Sequence, residues 1–155
     1  MNIKTRYFGE IELDDAKVIT FDNGLFGFEE YKRFALLYDS ETGESTSIKW
    51  LQCLDEESLA LPVMMPTIVK PDYDPIVEDG VLDVLGDWNE NNISVLVTLT
   101  VPSDLKAMTT NMKAPIIINT ESMKGVQVVA ENPDYEIKFK IYDILEAARA
   151  GKEGT

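Results

Sequence analysis

The sequence of 155 residues contains no histidine and a single cysteine, Cys53. Without histidine, Ser–His and Cys–His nucleophilic pairs and histidine-based zinc sites are excluded. One cysteine excludes a disulfide within the chain and is typical of a reducing compartment. Because Cys53 lies between apolar residues and ahead of acidic ones, which raise the pKa of a thiol, we predict that it is buried and unreactive.

Long apolar runs are also absent. No stretch approaches the roughly 20 apolar residues that cross a bilayer, and the first residues lack the basic-then-apolar pattern of a secretory signal. The stretch "GLFGF" has neither the spacing nor the lysine of a phosphate-binding loop. With 45% apolar and 27% charged residues, the composition predicts one soluble, cytoplasmic domain over residues 1–150, with residues 151–155 as a frayed tail.

Basic residues are scarce, and none lies between Lys70 and Lys106. The chain has 28 acidic and 14 basic residues, a net charge of −14. Such a chain repels phosphate backbones, so direct binding to nucleic acid is not expected. The interval without basic residues, called here the acidic segment, contains Asp72, Asp74, Glu78, Asp79, Asp83, Asp87, Glu90 and Asp104. It is either a field that attracts a basic partner or a solvated surface that keeps the protein soluble.

The carboxylates give weak signals for chemistry. The stretches "DYDPIVEDG" and "DWNENN" begin like calcium loops, but both lack the required glycine and the second lacks the final bidentate glutamate. A pair of carboxylates could also hydrolyse a glycosidic bond, although nearly any acidic protein offers such pairs. We therefore expect no metal, no cofactor and no enzymatic activity, and keep a carboxylate-based hydrolase as the remote alternative.

Strand patterns dominate the chain. "NISVLVTLTVP" places Ile93, Val95, Val97, Leu99 and Val101 on one face, and "YEIKFKI" alternates in the same way from Tyr135 to Ile141. Shorter strands are predicted at "NIKTR", "GEIEL", "KVITF", "RFALLY", "IKWLQC" and "LALPVMM", with Trp50 in the core. In "NMKAPIIINTESMKGVQVV", three successive isoleucines predict a strand that is covered on both faces, which begins after Pro115 and forms a hairpin with the valines.

Helical patterns are few. "FEEYK" and "DEESL" each predict about one turn, and "VEDGVLDVLGDW" predicts a short helix. At the C-terminus, "IYDILEAARA" has apolar residues at helical spacing, with Gly151 as the expected stop. Phe26 and Phe28 are expected to pin a tight turn, permitted by Gly24 and Gly27, to the barrel. Many short strands and few helices predict a mainly β fold, a small antiparallel β-barrel with a few short helices and a C-terminal helix.

Several stretches occur together and in order from residue 6 to about residue 129: "RYFGEIEL", "ITFDNGLFGFEEYKRFALL", "WLQCLDEESLAL", "KPDYD", "VLVTLTVP" and "TTNMKAPIIINTESMKGVQVV". In this order and spacing the chain resembles the flagellar assembly factor family, FliW. The resemblance implies a cytoplasmic, non-catalytic β-barrel that binds flagellin. It also implies binding to the carbon storage regulator CsrA, a basic RNA-binding repressor of flagellin translation, which free flagellin would release.

The acidic segment fits such a basic partner, because complementary charge steers association. We predict that Asp72, Asp74, Glu78 and Asp79 contact the regulator, and that Asn111, Lys113 and Pro115 contribute from the loop before the isoleucines. We expect the protein to be a monomer with no membrane partner. The alternative is a general flagellin export chaperone that recognises only an apolar helix and does not bind the regulator.

Overall fold

The computed structural model describes residues 1–38 and 48–153. The polar stretch "DSETGESTS", whose composition predicts a variable loop, lies outside the described residues. The fold is mainly β, as predicted. The strands are Asn2–Lys4 (β1), Glu10–Glu12 (β2), Ile19–Thr20 (β3), Arg33–Leu37 (β4), Lys49–Cys53 (β5), Ala60–Met64 (β6), Ile93–Thr100 (β7), Thr109–Thr110 (β8), Ile116–Asn119 (β9), Lys124–Gln127 (β10) and Phe139–Lys140 (β11).

Seven of these strands close into a barrel. Around the ring the order is β7, β6, β5, β4, β3, β10 and β9, and β9 pairs again with β7. Every joint is antiparallel except the one between β3 and β10, which is parallel and consists of one register pair, Thr20 with Lys124. Closure leaves few free strand edges, which favours a barrel built from short strands.

Two smaller pieces of sheet extend the barrel. β1 and β2 form a separate antiparallel hairpin, and Ile3 and Leu13 of this region pack on Ala35 in β4. β8 and β11 continue from the end of β7, through the pairs Leu99–Thr110 and Phe139–Thr110.

Helical segments are short. Turns of 3₁₀ helix occur at Asp15–Lys17, Pro66–Ile68, Asp83–Leu85 and Leu105–Ala107, and the C-terminal α-helix spans Tyr142–Glu153 (α1). Asp14 and Asp104 cap two of these turns by accepting a hydrogen bond from the backbone N–H two residues later, as acidic N-caps do. No helix in the part of the chain described above is long and apolar enough to cross a membrane.

The three isoleucines of β9 face two different cores, as their sequence predicts. Ile116 and Ile118 point into the barrel interior with Phe21, Phe34 and other residues. Ile117 points outward, where it packs with a second set of residues: Leu82, Leu85, Val126 and Val128. The acidic segment thus supplies the apolar cover for the outside of β9 and β10.

A third apolar cluster joins the end of the barrel to α1. Ile141 is buried there, and Ile144 and Leu145 pack against Met64, Val97 and their neighbours. The predicted amphipathic helix is therefore confirmed. The predicted stop is wrong, since α1 continues through Gly151 to Glu153; one glycine costs a helix only about 1 kcal/mol.

Other local predictions also need correction. Of "YEIKFKI" only Phe139 and Lys140 form a strand, because the neighbouring β8 offers two residues for pairing. The segments 28–32 and 55–59 form turns and no helix. Trp50 is half-buried and lies outside the main clusters; its ring packs on that of Tyr7, with 4.3 Å between the ring centroids.

Cys53 is fully buried in the barrel interior, as predicted. Burial is the largest cause that raises the pKa of its thiol, and the carboxylates of Asp55 and Glu56 add to the rise. A neutral thiol without solvent access is a poor nucleophile. Cys53 acts as a small apolar residue in the core.

Candidate partner-binding surface

The acidic segment lies on the surface. All eight of its carboxylate side chains belong to exposed residues. Among the residues with described positions, Asp72 is the one member of the segment in an ion pair, with 3.5 Å between its Oδ1 and Nζ of Lys70. No group of side chains in residues 1–38 and 48–153 is arranged to hold a metal ion. The negative charge therefore faces solvent and is largely uncompensated.

Two tyrosines hold the first part of the acidic segment in place. Tyr73 is buried between exposed neighbours, and its hydroxyl donates a 2.7 Å hydrogen bond to the carbonyl of Met112. Its ring stacks on Tyr135, with 4.8 Å between centroids, and the Tyr135 hydroxyl accepts a 2.7 Å bond from the backbone N–H of Asp74. Burial raises the pKa of Tyr73, so the phenol stays neutral. Asp72 and Asp74 are thereby displayed from a fixed backbone.

Asn132 holds the next turn of the acidic segment in place through two side-chain hydrogen bonds. Its Oδ1 accepts a 2.7 Å bond from the N–H of Ile76, and its Nδ2 donates a 3.0 Å bond to the carbonyl of Asp74. These two bonds mimic one more strand pair between the acidic segment and the chain around residue 132. Glu78 and Asp79 follow directly on the exposed side of this turn.

Two buried asparagines secure the second part of the acidic segment. Asn119 donates from Nδ2 to the carbonyls of Leu85 and Asp87, at 2.9 and 3.1 Å. Its Oδ1 accepts from the N–H groups of Glu121 and Ser122. Asn92 also donates to the carbonyl of Asp87, at 3.1 Å. The β9–β10 hairpin and the acidic segment are therefore built as one unit.

The predicted contact residues occupy different environments. Asp72, Asp74, Glu78 and Asp79 are exposed, whereas Pro115 is buried and Lys113 is half-buried. The ammonium of Lys113 donates a 2.8 Å bond to the carbonyl of Asn132. The carboxamide oxygen of Asn111 accepts bonds from the N–H groups of Lys113 and Ala114. In the free protein, Asn111 and Lys113 thus shape their own loop, and Pro115 offers little surface.

An open groove of about 860 Å³ lies next to this loop. Its walls are the turn around Gly24 and Phe26, the acidic segment from Glu78 to Val84, and the chain from Val126 to Glu131. Lys113 also lines it, so the groove brings two of the predicted contact residues, Glu78 and Lys113, to one place.

Two exposed apolar residues that the sequence patterns did not single out for binding line the groove: Phe26 and Val129, exposed by 49% and 55%. Ile76, exposed by 58%, lies beside it, since its carbonyl accepts a bond from the N–H of Glu131. Phe26 does not pin the turn to the barrel as expected; Leu25, only 1% exposed, does so, with Phe28 packed partly against the core. Because Val126 and Val128 are buried on one face of the chain, continued alternation would have placed Val129 on the opposite face. For Phe26 and Ile76 no local signal exists.

Comparison with known proteins places the chain in a family. The model of the family described as "FliW protein" matches residues 2–141. A "Flagellar assembly factor FliW" of Lachnoclostridium phytofermentans is 54% identical over 153 residues, which are 99% of this chain and 97% of the relative. The chain belongs to the FliW family. The recognition made from the ordered sequence stretches is thereby confirmed.

More distant FliW proteins agree. A "Flagellar assembly factor FliW" of Thermotoga neapolitana is 39% identical and covers 92% of this chain, with 94% of the relative matched. The crystal structure of a flagellar assembly factor FliW superposes with a TM-score of 0.82 at 30% identity, covering 92% of this chain and 97% of that one. The predicted barrel is confirmed. These relatives are named as assembly factors and not as enzymes, which fits a non-catalytic protein.

Proposed function

We propose that this FliW-family protein is a cytoplasmic, non-catalytic binding protein that holds flagellin and antagonises the basic translational regulator CsrA. When flagellin occupies the protein, the regulator is released and represses flagellin translation; when flagellin has been exported, the protein binds the regulator and relieves repression. The observation that carries the regulator half of this proposal is the exposed and nearly unpaired acidic segment.

The charge argument is physical. A surface with one sign of charge raises the rate at which an oppositely charged protein associates, and its effect falls as salt is added. The backbone of Asp74 is fixed by Tyr135 and Asn132, so little conformational entropy is lost when a partner binds its carboxylate. Fixed, exposed and uncompensated carboxylates are suited to a basic partner.

A general flagellin export chaperone is the second candidate. It is favoured by the exposed apolar side chains of Phe26, Ile76 and Val129 beside the groove, because such residues supply contact area to an apolar flagellin helix. Substitution of these apolar residues would weaken such binding, whereas the salt concentration would hardly change the affinity.

The first test is the charge reversal Asp74→Lys. We expect affinity for CsrA to fall by about tenfold at low salt, because attraction to a basic surface becomes repulsion. The difference should shrink near physiological salt, where the screening length falls to about 8 Å. Calorimetric titration at two salt concentrations measures both effects.

Glu10→Lys is the matched control, because it makes the same change in net charge on the exposed face of β2, in the separate β1–β2 hairpin. Equal losses for the two variants would mean that total charge matters and the acidic segment does not. Wild-type binding to flagellin alone would favour the chaperone. If the wild-type protein bound neither purified flagellin nor CsrA, the proposal would be wrong.

A further inference from the structure

The chain after β10 stays extended and continues to follow the segment before β9. The N–H of Val128 donates a 3.1 Å bond to the carbonyl of Pro115, and the N–H of Ala130 donates a 2.8 Å bond to that of Lys113. Both pairs continue the register of β10 on β9, in which Val126 lies opposite Ile117. The backbone groups of Val128 and Ala130 therefore point towards β9.

In an antiparallel pair, successive residues direct their backbone groups alternately towards the partner strand and away from it. The N–H and C=O groups of Gln127 and Val129 consequently point away from β9, to the side where β3 would continue the sheet. β3 pairs with β10 only at Lys124. Beyond that pair, the opposite edge of the chain has lost its neighbouring strand.

The ends of this edge are covered, but its middle is open. At one end the N–H of Phe26 donates to the side-chain Oε1 of Gln127, at 2.9 Å. At the other, the N–H of Glu131 donates to the carbonyl of Ile76, at 2.6 Å. Between them, β3 does not reach Gln127, and among the described residues no backbone or side-chain group bonds on this side to the N–H or C=O of Gln127 or Val129. We call these two residues the open edge.

The open edge borders the groove described above. Gln127 and Val129 both line it, and so does Phe26. Val129 and Phe26 supply apolar surface, and Glu78 and Glu131 supply negative charge. Lys113 also lines the groove, and its ammonium is engaged with the carbonyl of Asn132. The groove therefore combines free main-chain groups, apolar side chains and net negative charge.

We propose that the open edge binds an extended peptide segment of a partner protein, which adds a short strand beside Gln127 and Val129. The preferred segment carries apolar side chains at alternate positions, to contact Phe26 and Val129, and basic side chains between them, to meet Glu78 and Glu131. This mode rests on the proposed function in one respect, that the chain acts by binding other proteins.

A strand fits the open edge better than a helix does. The backbone groups of a helix are already bonded within it, whereas an extended segment brings free N–H and C=O groups in register. Unpaired edges invite strand addition unless charge or cover prevents it. Here Glu78 and Glu131 discourage a second copy of this acidic chain and attract a basic segment.

Val129→Pro tests the open edge directly, because it removes the N–H that points into the groove and keeps an apolar side chain. The probe is a blocked peptide in which lysine and valine alternate, followed by fluorescence anisotropy. We expect Val129→Pro to weaken binding by about tenfold, the loss of one desolvated hydrogen bond. Val129→Thr keeps the N–H and the branched shape, and should change affinity by less than about twofold. Equal losses for the two variants, or no binding to the wild-type protein, would overturn the proposal.

A second measurement changes only the peptide, so it holds even if Val129→Pro unfolds the chain. Peptides are N-methylated at every second amide, in one alternation or in the other. A strand has one bonded edge, so one of the two patterns should abolish binding and the other should leave it within about threefold. Two equally weakened peptides would exclude strand addition, as would peptide binding that dimerises the protein.

The outcome is separable from that of the proposed function. Loss of CsrA binding in Asp74→Lys with no effect of either peptide pattern would leave the regulator proposal standing and reject the open edge. If the protein bound neither flagellin nor CsrA but bound the peptide in a way that depends on the N-methylation pattern, the open edge would be supported and the proposed function rejected.

Discussion

Replacing Gly24 with alanine is expected to lower the free energy of unfolding by at least about 3 kcal/mol. Gly24 has a φ of +68°, a conformation that costs any residue with a Cβ. A Cβ built there would also lie 2.5 Å from Cα and 2.6 Å from the carbonyl oxygen of Glu29. Both atoms are backbone, so no side chain can rotate away to relieve the overlap. Urea denaturation monitored by tryptophan fluorescence measures the loss.

Gly27→Ala is the matched control, since it lies in the same turn with a φ of +85° and no atom within 4 Å of its built Cβ. It carries the backbone strain without the steric overlap, and should cost only about 1 kcal/mol. Losses of the same size at the two positions would show that the close approach of the chain at Glu29 does not exist. The comparison matters for binding because this turn carries Phe26 to the groove.

The second large effect is expected for Asn119→Asp, which should destabilise the protein by about 3 kcal/mol at neutral pH. The exchange keeps the shape and the acceptor for Glu121 and Ser122, but removes the donor to the carbonyls of Leu85 and Asp87. It also sets a negative charge beside those carbonyl oxygens in a site where only 1% of Asn119 is exposed. Thermal unfolding at a fixed pH provides the measurement.

Asn91→Asp makes the same change in charge in the acidic segment at an exposed position. It should alter stability by no more than about 0.5 kcal/mol. If Asn91→Asp were as damaging as Asn119→Asp, added negative charge in the segment would be the cause, and the hydrogen bonds of Asn119 would not. Hydrogen exchange of the amides after Leu85 then reports whether the segment has loosened from the β9–β10 hairpin.

Alternation predicted the barrel well where both faces of a strand have neighbours. The pattern of β7 from Ile93 to Leu99 and the isoleucines of β9 gave the correct faces, because side chains alternate along any extended chain. Val101, predicted on the same face as Leu99, lies beyond β7 and is 47% exposed. The same pattern failed in "YEIKFKI". Tyr135 and Ile141 are buried there as expected, but Ile137 is 64% exposed and only two residues pair. Alternation reports which residues are buried, and it does not report whether a neighbouring strand exists.

For the site, the sequence predicted where the negative charge lies, but not which distant residues come together around the groove. The exposure of the acidic segment followed from its composition, since unpaired carboxylates are seldom buried. The groove could not be predicted in this way. It depends on Phe26, Glu78 and Val129, which line the groove from three distant parts of the chain. It also depends on β3 ending after Thr20 while the chain of β10 continues. Only the closed barrel fixes these distances.

The parallel joint between β3 and β10 has a mechanical consequence. The mechanical stability of a closed barrel is limited by its weakest strand pairing. The β3–β10 pairing has a single register pair, and the ring of Phe21 packs over Gly125 next to it. On heating or under mechanical force, the barrel would therefore open first at this joint. The β3–β10 joint adjoins the groove. A peptide bound in the groove across this joint would therefore hold the barrel closed.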